Sequence, residues 1–203
     1  MKKALLLGVL VLSAVFTAAA GPLVPDSSFE NISSPNYPYY WYVAGFFSPS
    51  WTFTGGSGVD PSTGVWFVTP APDGTNAAFL QNISSFSQTI SGFTVGNLYQ
   101  VSYYAAQRPG FAANVIDVSL GAADLGTYTP STTGFVQVTT SSMTATSSSM
   151  VLNFQGTLGG PDFDSAVDVV TIQDVSAVPE PSTLVLGGLS LVALGMLRRR
   201  RTV

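Results

Sequence analysis

The residues able to do chemistry are few, and their types narrow the field at once. The 203-residue chain has no His and no Cys. A Ser-His-Asp triad, a thiol nucleophile, an imidazole or thiolate metal site and a disulfide are therefore excluded. The only lysines are Lys2 and Lys3, so no lysine of the body can form a Schiff base or a Ser-Lys pair. What remains is carboxylates, aromatic rings and one isolated guanidinium. Between Gly21 and Val178 ten acids stand against Arg108 alone, a net charge of −9. Such a body cannot neutralise a phosphate backbone, which argues against a nucleic-acid partner.

The aromatic rings are the densest signal. Tyr37, Tyr39, Tyr40, Trp41, Tyr42, Phe46 and Phe47 fall within eleven residues, among Pro35, Pro38 and Pro49, with Trp51 and Trp66 nearby. Rings with flat apolar faces and polar tips suit stacking on sugar rings alongside hydrogen bonds. The competing reading is packing in a core or at a sheet edge, where most such rings go. Tyr39, Tyr40, Trp41 and Tyr42 are the members expected to be exposed as candidate ligand-binding residues, while Trp51 is expected in the core. Arg108 follows a strand and is expected to pair with an internal acid rather than a ligand carboxylate. Asp162 and Asp164, in Gly159-Gly160-Pro161-Asp162-Phe163-Asp164, are expected to form a solvated acidic turn, with calcium binding through loop oxygens as the weaker alternative. Nothing in the spacing of the acids fixes a separation suited to glycoside cleavage.

The elements that position these groups are strands. Gly21 to Val178 is 158 residues, enough for one sizeable core. Helical periodicity is nearly absent, and short alternating runs are bounded by turn residues. Strands are expected at 98–106, 115–120, 135–140, 149–154 and 167–175. Further strands, with softer ends, are expected at 28–32, 51–54, 65–68, 77–81 and 86–90. Gly55-Gly56, Pro72-Asp73-Gly74, Ser91-Gly92 and Gly159-Gly160-Pro161 read as turns. Ten or so strands in this length predict an all-β jelly-roll sandwich. The sequons at Asn31 and Asn82 read as chance matches.

The two ends differ from the body. Residues 1–20 combine Lys2 and Lys3, the apolar run Ala4 to Phe16 and the small residues Ala18-Ala19-Ala20, which reads as a cleaved secretory signal. A second apolar run, Ser182 to Leu197, would span roughly 24 Å as a helix. It is followed by Arg198, Arg199, Arg200 and Arg201, which would hold that end on the cytoplasmic side of a membrane. A single transmembrane helix is thus expected here, with the body on the far side.

Val178-Pro179-Glu180-Pro181-Ser182-Thr183, then the apolar run, then the Arg cluster, resembles the bacterial PEP-CTERM sorting signal. The resemblance covers residues 178–203. It implies an exosortase, an integral-membrane cysteine protease, as processing partner, in a Gram-negative bacterium that makes extracellular polysaccharide. It further implies transient anchoring in the inner membrane, cleavage near Pro179-Glu180-Pro181, and delivery to the cell surface or matrix.

A second resemblance spans residues 21–177. Asp26-Ser27-Ser28-Phe29-Glu30, Trp51-Thr52-Phe53-Thr54-Gly55-Gly56, Asp73-Gly74, Leu98-Tyr99-Gln100-Val101-Ser102-Tyr103 and Val167-Asp168-Val169-Val170-Thr171-Ile172 follow in the order found in galactose-binding-like jelly rolls. These pieces are similar to carbohydrate-binding modules and DUF642-like domains. The resemblance implies a structural calcium held by Glu30 and Asp168, although Val169 stands where the pattern has a second Asp. Together the two resemblances imply a non-enzymatic exported protein that binds extracellular polysaccharide. A purely structural matrix protein and a carboxylate-dependent glycan hydrolase stay open as alternatives.

Overall fold

Alternating apolar and polar side chains along nine strands build an all-β sandwich in the computed structural model, whose described residues are 21–31, 50–61 and 69–176. The strands are β1 (Thr52–Pro61), β2 (Asn76–Ser91), β3 (Leu98–Gln107), β4 (Ile116–Leu120), β5 (Ala123–Tyr128), β6 (Val136–Thr139), β7 (Met143–Thr144), β8 (Ser149–Gly156) and β9 (Asp164–Asp174). Every pairing between these strands is antiparallel. The secretory signal, residues Tyr37 to Phe47, the strand expected at 65–68 and the C-terminal sorting signal lie outside the described residues.

The β1–β2 hairpin belongs to both layers of the sandwich. Its half next to the connection, Gly56–Pro61 against Asn76–Gln81, continues into the ladder β2–β9–β3–β6, with β7 also on β3. Its other half, Thr52–Gly55 against Ser84–Ser87, continues into β2–β8–β4–β5. The two layers meet where Tyr103 of β3 sets its ring edge-on to Phe154 of β8, with centroids 5.2 Å apart.

Glycine makes the passage between layers possible. Gly55-Gly56, expected to end a strand, instead lies inside β1 at a register shift. Gly55 has φ +67°, and a Cβ there would lie 2.8 Å from the Ile83 carbonyl oxygen. A Cβ on Gly56 would lie 2.7 Å from the Gln81 carbonyl oxygen. Only two residues without side chains let the strands bend this closely. Opposite them Asn82 takes φ 53°, a conformation Asn tolerates better than most residues. Its backbone N–H donates to the Phe163 carbonyl at 2.9 Å, and its Oδ1 accepts from the Phe163 N–H at 3.1 Å. Asn82 therefore acts as a structural corner.

The core fills with the inward halves of these strands. Phe29, Trp51, Phe86 and Phe154 form its aromatic centre, joined by Tyr103, Leu80, Ile116, Val118, Leu120 and Leu152. Trp51 is in the core as expected, and its Nε1–H donates to the Asp26 carbonyl at 2.9 Å.

The expected strand at 28–32 is not present over its described residues. Residues 25–28 turn instead, with Asp26 at φ 50° and Phe29 at φ 58°. The Asp26 Oδ1 accepts from the Asn31 N–H at 2.9 Å, closing the turn and driving the Phe29 ring into the core. The expected pieces 77–81 and 86–90 are one continuous strand, β2. β5 and β7 are too short and too polar to have shown alternation.

Candidate functional site

Glu30 and Asp168, far apart in sequence, are brought to the same turn. Asp168 lies in β9 and is fully buried. Its Oδ2 accepts from the Asp73 N–H at 3.2 Å and its Oδ1 from the Val169 N–H at 2.8 Å. Glu30 follows the N-terminal turn. Its Oε1 accepts from the backbone N–H groups of Thr75 at 2.8 Å and Asn76 at 2.7 Å. Its Oε2 accepts from the Thr75 hydroxyl at 3.1 Å and the Asn76 amide at 3.2 Å. Gly74, at φ +72°, makes room for this: a Cβ there would meet the Glu30 carboxyl carbon at 2.3 Å.

Burial pushes the Asp168 carboxyl up to about 7; the N–H groups of Asp73 and Val169 pull it down, and the charges of Asp73 and Glu30 raise it again. The backbone beside it is strained. Val169 takes φ 49° at a bulge in β9 opposite Ser102–Tyr104. A β-branched residue in that region costs of order 1–3 kcal/mol and persists only where its surroundings hold it. The Val170 N–H donates to the Ser27 carbonyl at 2.9 Å, tying the bulge to the N-terminal turn. Glu30 and Asp168 thus converge on the 73–76 turn, held there by N–H, hydroxyl and amide donors. Among the described residues no set of three or more His, Cys, Asp or Glu forms a metal-binding group, so a cation here would need backbone carbonyls as well.

The second acidic group departs from expectation. Asp164 is fully buried rather than solvated. Its Oδ2 lies 3.5 Å from the Arg108 Nη1, which is also 3.5 Å from the Asp162 Oδ2. Asp162 accepts from the Gln81 amide as well. Arg108 therefore has the internal role expected of it, and its guanidinium also lies over the Phe111 ring, 3.8 Å from the centroid. One guanidinium shared by two carboxylates leaves Asp164 short of compensation. Burial pushes it up to about 8; Arg108 pulls it down, while Asp162 and Asp60 push it up. The reason for the misreading is β9, which starts at Asp164 and carries that carboxylate, with Ser165, inside the fold.

A third feature was not visible in the sequence. On the outer face of the layer formed by β1, β2 and β8 lies an open groove of about 550 Å³. Its walls come from Ser50, Thr52, Ser87, Thr89 and Val151, with Pro25 at one side and the buried Gln88 at its base. These residues alternate outward like those of any half-exposed strand, so only the pairing of β1, β2 and β8 reveals that they converge. The candidate residues Tyr39, Tyr40, Trp41 and Tyr42 lie outside the described residues, as do Pro179, Glu180, Pro181 and Arg198 to Arg201.

Comparison with known proteins agrees with this architecture. The chain carries a PEP-CTERM protein-sorting motif, matched over residues 177–201. No curated protein matches the chain. Among solved structures, a cyclase from Fischerella sp. TAU in complex with 4-(1H-indol-3-yl)butan-2-one is 15% identical, with a TM-score of 0.59. The match covers 79% of this chain and 100% of the cyclase. The K1 cleaved adhesin domain of Lys-gingipain from Porphyromonas gingivalis W83 is 12% identical over 72% of this chain and 95% of its own, with a TM-score of 0.51. TmCBM61 in complex with β-1,4-galactotriose is 17% identical over 76% of this chain and 99% of its own, with a TM-score of 0.46. The expected fold class, an all-β jelly-roll sandwich, is the one observed.

Proposed function

We propose that the chain is an exported, non-enzymatic protein of the cell surface or extracellular matrix that binds polysaccharide. The observation that carries this reading is the sorting motif at 177–201, which contains Pro179-Glu180-Pro181 and reaches the Arg cluster. In this reading residues 1–20 are removed on export and 178–203 anchor the chain transiently in the inner membrane. An exosortase then cuts near Pro179-Glu180-Pro181 and releases the body. Mass spectrometry of the surface-retained protein is expected to find a C-terminus close to Pro181. A mature form that still carries Arg198 to Arg201 would refute the processing step.

The aromatic residues Tyr39, Tyr40, Trp41 and Tyr42 support polysaccharide as the ligand class, through ring stacking on pyranose faces. Trp41→Ala is expected to weaken binding to a glycan array about tenfold with the fold intact, the loss of one good stacking contact. Absence of binding by the parent protein would favour a purely structural matrix role. Turnover of a polysaccharide, abolished by replacing one or two acids, would instead make the protein a hydrolase. The engagement of Asp162 and Asp164 by Arg108 supports the non-enzymatic reading.

Structural calcium belongs to the same proposal. A buried carboxylate beside two further acids suits a hard dication, with Glu30 and Asp168 as side-chain ligands and carbonyls completing the set. The ion would fasten the N-terminal turn, the 73–76 turn and β9 together. Binding at about one hundred times the dissociation constant stabilises by roughly 2.7 kcal/mol. For a domain of this size that is a rise in Tm of about 5–10 °C. The rise is expected with millimolar calcium, to reverse with chelator, and to vanish in Asp168→Asn. An unchanged Tm in the parent protein would overturn calcium binding.

A further inference from the structure

We infer that the groove on the outer face of β1, β2 and β8 is a binding site for a neutral glycan chain. The inference rests on the polysaccharide reading and adds to it a place and a ligand class.

Position comes first. Thr52 of β1 stands opposite Ser87 of β2, and Thr89 of β2 stands opposite Val151 of β8. Same-face neighbours across a ladder lie about 5 Å apart, so their side chains form one continuous surface. Two residues further along this face, Thr54 and Ser85 satisfy each other through a hydroxyl–hydroxyl bond of 2.7 Å. The hydroxyls of Thr52, Ser87 and Thr89 have no hydrogen-bond partner among the described residues. They face the groove with donors and acceptors available.

The wall beside them is fixed. Gln88 is buried, and its Nε2 donates to the Pro25 carbonyl at 3.1 Å and the Ser50 carbonyl at 2.8 Å. One amide thus clamps two separate segments against β2 and gives the groove a preformed side. Val151, 46% exposed, and Pro25 supply apolar surface next to the hydroxyls. The volume falls in the range of about 300–1,000 Å³ usual for small-ligand sites. Hydroxyls beside a small apolar patch match a pyranose, which has hydroxyl edges and a C–H face.

Charge decides the class of glycan. Among the described residues, no charged side chain lines the groove. The one basic residue between Gly21 and Val178, Arg108, is taken up by Asp162 and Asp164. A uronate or sulfated polymer would therefore meet a body of charge −9 with no cation on the described surface to receive it. A neutral polymer loses nothing to that field.

Affinity electrophoresis of the mature protein in gels containing neutral β-1,3-glucan, xylan or galactan, or acidic alginate, tests this. The parent is expected to be retarded by at least one neutral polymer and not by alginate. The triple variant Thr52→Val, Ser87→Ala, Thr89→Val changes only outward positions. It is expected to keep the parent's Tm and to bind that polymer at least about tenfold more weakly, since three hydrogen bonds are removed. Unchanged retardation of the triple variant, with loss in Trp41→Ala, would move the site to the aromatic residues and overturn the groove. Preferential retardation by alginate would overturn the ligand class. A parent retarded by none of the polymers would sink the polysaccharide reading and this inference together.

Discussion

Replacing Asp164 by Asn is expected to make the protein more stable in mild alkali and to flatten its response to pH. An ordinary aspartate loses its proton near 3.8, while Asp164 in the folded chain is pushed up to about 8 by burial. From about pH 4 to pH 8 the unfolded chain has therefore given up a proton that the folded chain keeps. Its contribution to stability is complete below about pH 4. It falls steadily as pH rises through that window and levels off once the folded carboxyl also ionises. One proton over the three pH units from 5 to 8 amounts to a loss on the order of 4 kcal/mol.

Asn keeps the shape and does not titrate, so its stability curve lacks this descent. Arg108 keeps Asp162 as a partner in the variant. Urea unfolding at pH 5 and pH 8.5, in parent and variant, measures the effect. Equal slopes in the two proteins would show that Asp164 is ionised throughout, held by Arg108 more tightly than its burial opposes. The groups facing it are Arg108 after β3, Asp162 before β9 and Asp60 on β1, so a residual slope would be sought there.

Phe86→Ala is expected to cost about 4 kcal/mol, enough to leave the domain barely folded. The ring is fully buried and stacks on Phe154 with centroids 5.0 Å apart and planes at 17°. It also meets Trp51 edge-on at 5.4 Å, Phe29 at 5.5 Å and Phe53 at 5.7 Å. Truncation removes both the transfer energy of the ring and its aromatic contacts, and leaves a hole that β-strands on two layers cannot close. Phe86→Leu, which refills most of the volume, is expected to recover more than half of the loss. Thermal unfolding of the three proteins checks the order. A Phe86→Ala variant within about 1 kcal/mol of the parent would show that the two layers are held mainly elsewhere.

The sequence revealed the strands wherever one face is wet. β4 and β8 alternate strictly, and their expected and observed spans differ by a residue or two. Where both faces are covered, the alternation fades. β9 begins three residues before its expected start because Asp164 and Ser165 are polar and yet buried. Gly55-Gly56 looked like a stop because the same residue type serves turns and bulges, and only the partner strand distinguishes them. Ser28 to Ile32 looked extended because the left-handed turns at Asp26 and Phe29 leave no pattern in residue types.

The candidate sites were legible to different depths. Arg108 was expected to pair with an internal acid, and as the one basic residue of the body it could hardly do otherwise. The pairing of Glu30 with Asp168 came from resemblance, since no spacing rule connects the first turn to the last strand. Val169, where the pattern has an acid, was legible as a departure; its strained backbone was not. The groove had no signal, because Ser and Thr at outward strand positions are unremarkable until β1, β2 and β8 are laid side by side.

The place of β9 has a mechanical consequence. It is an interior strand, zipped to β2 on one side and β3 on the other, and it ends at Asp174, shortly before the sorting motif at 177. Gly21 packs beside its last residues, near the Ile172 carbonyl and the Asp174 nitrogen. In the proposed anchored state, drag on the body would pull along β9 in its own direction. Its two ladders would then be loaded in shear, all rungs together, instead of peeling one by one as an edge strand would.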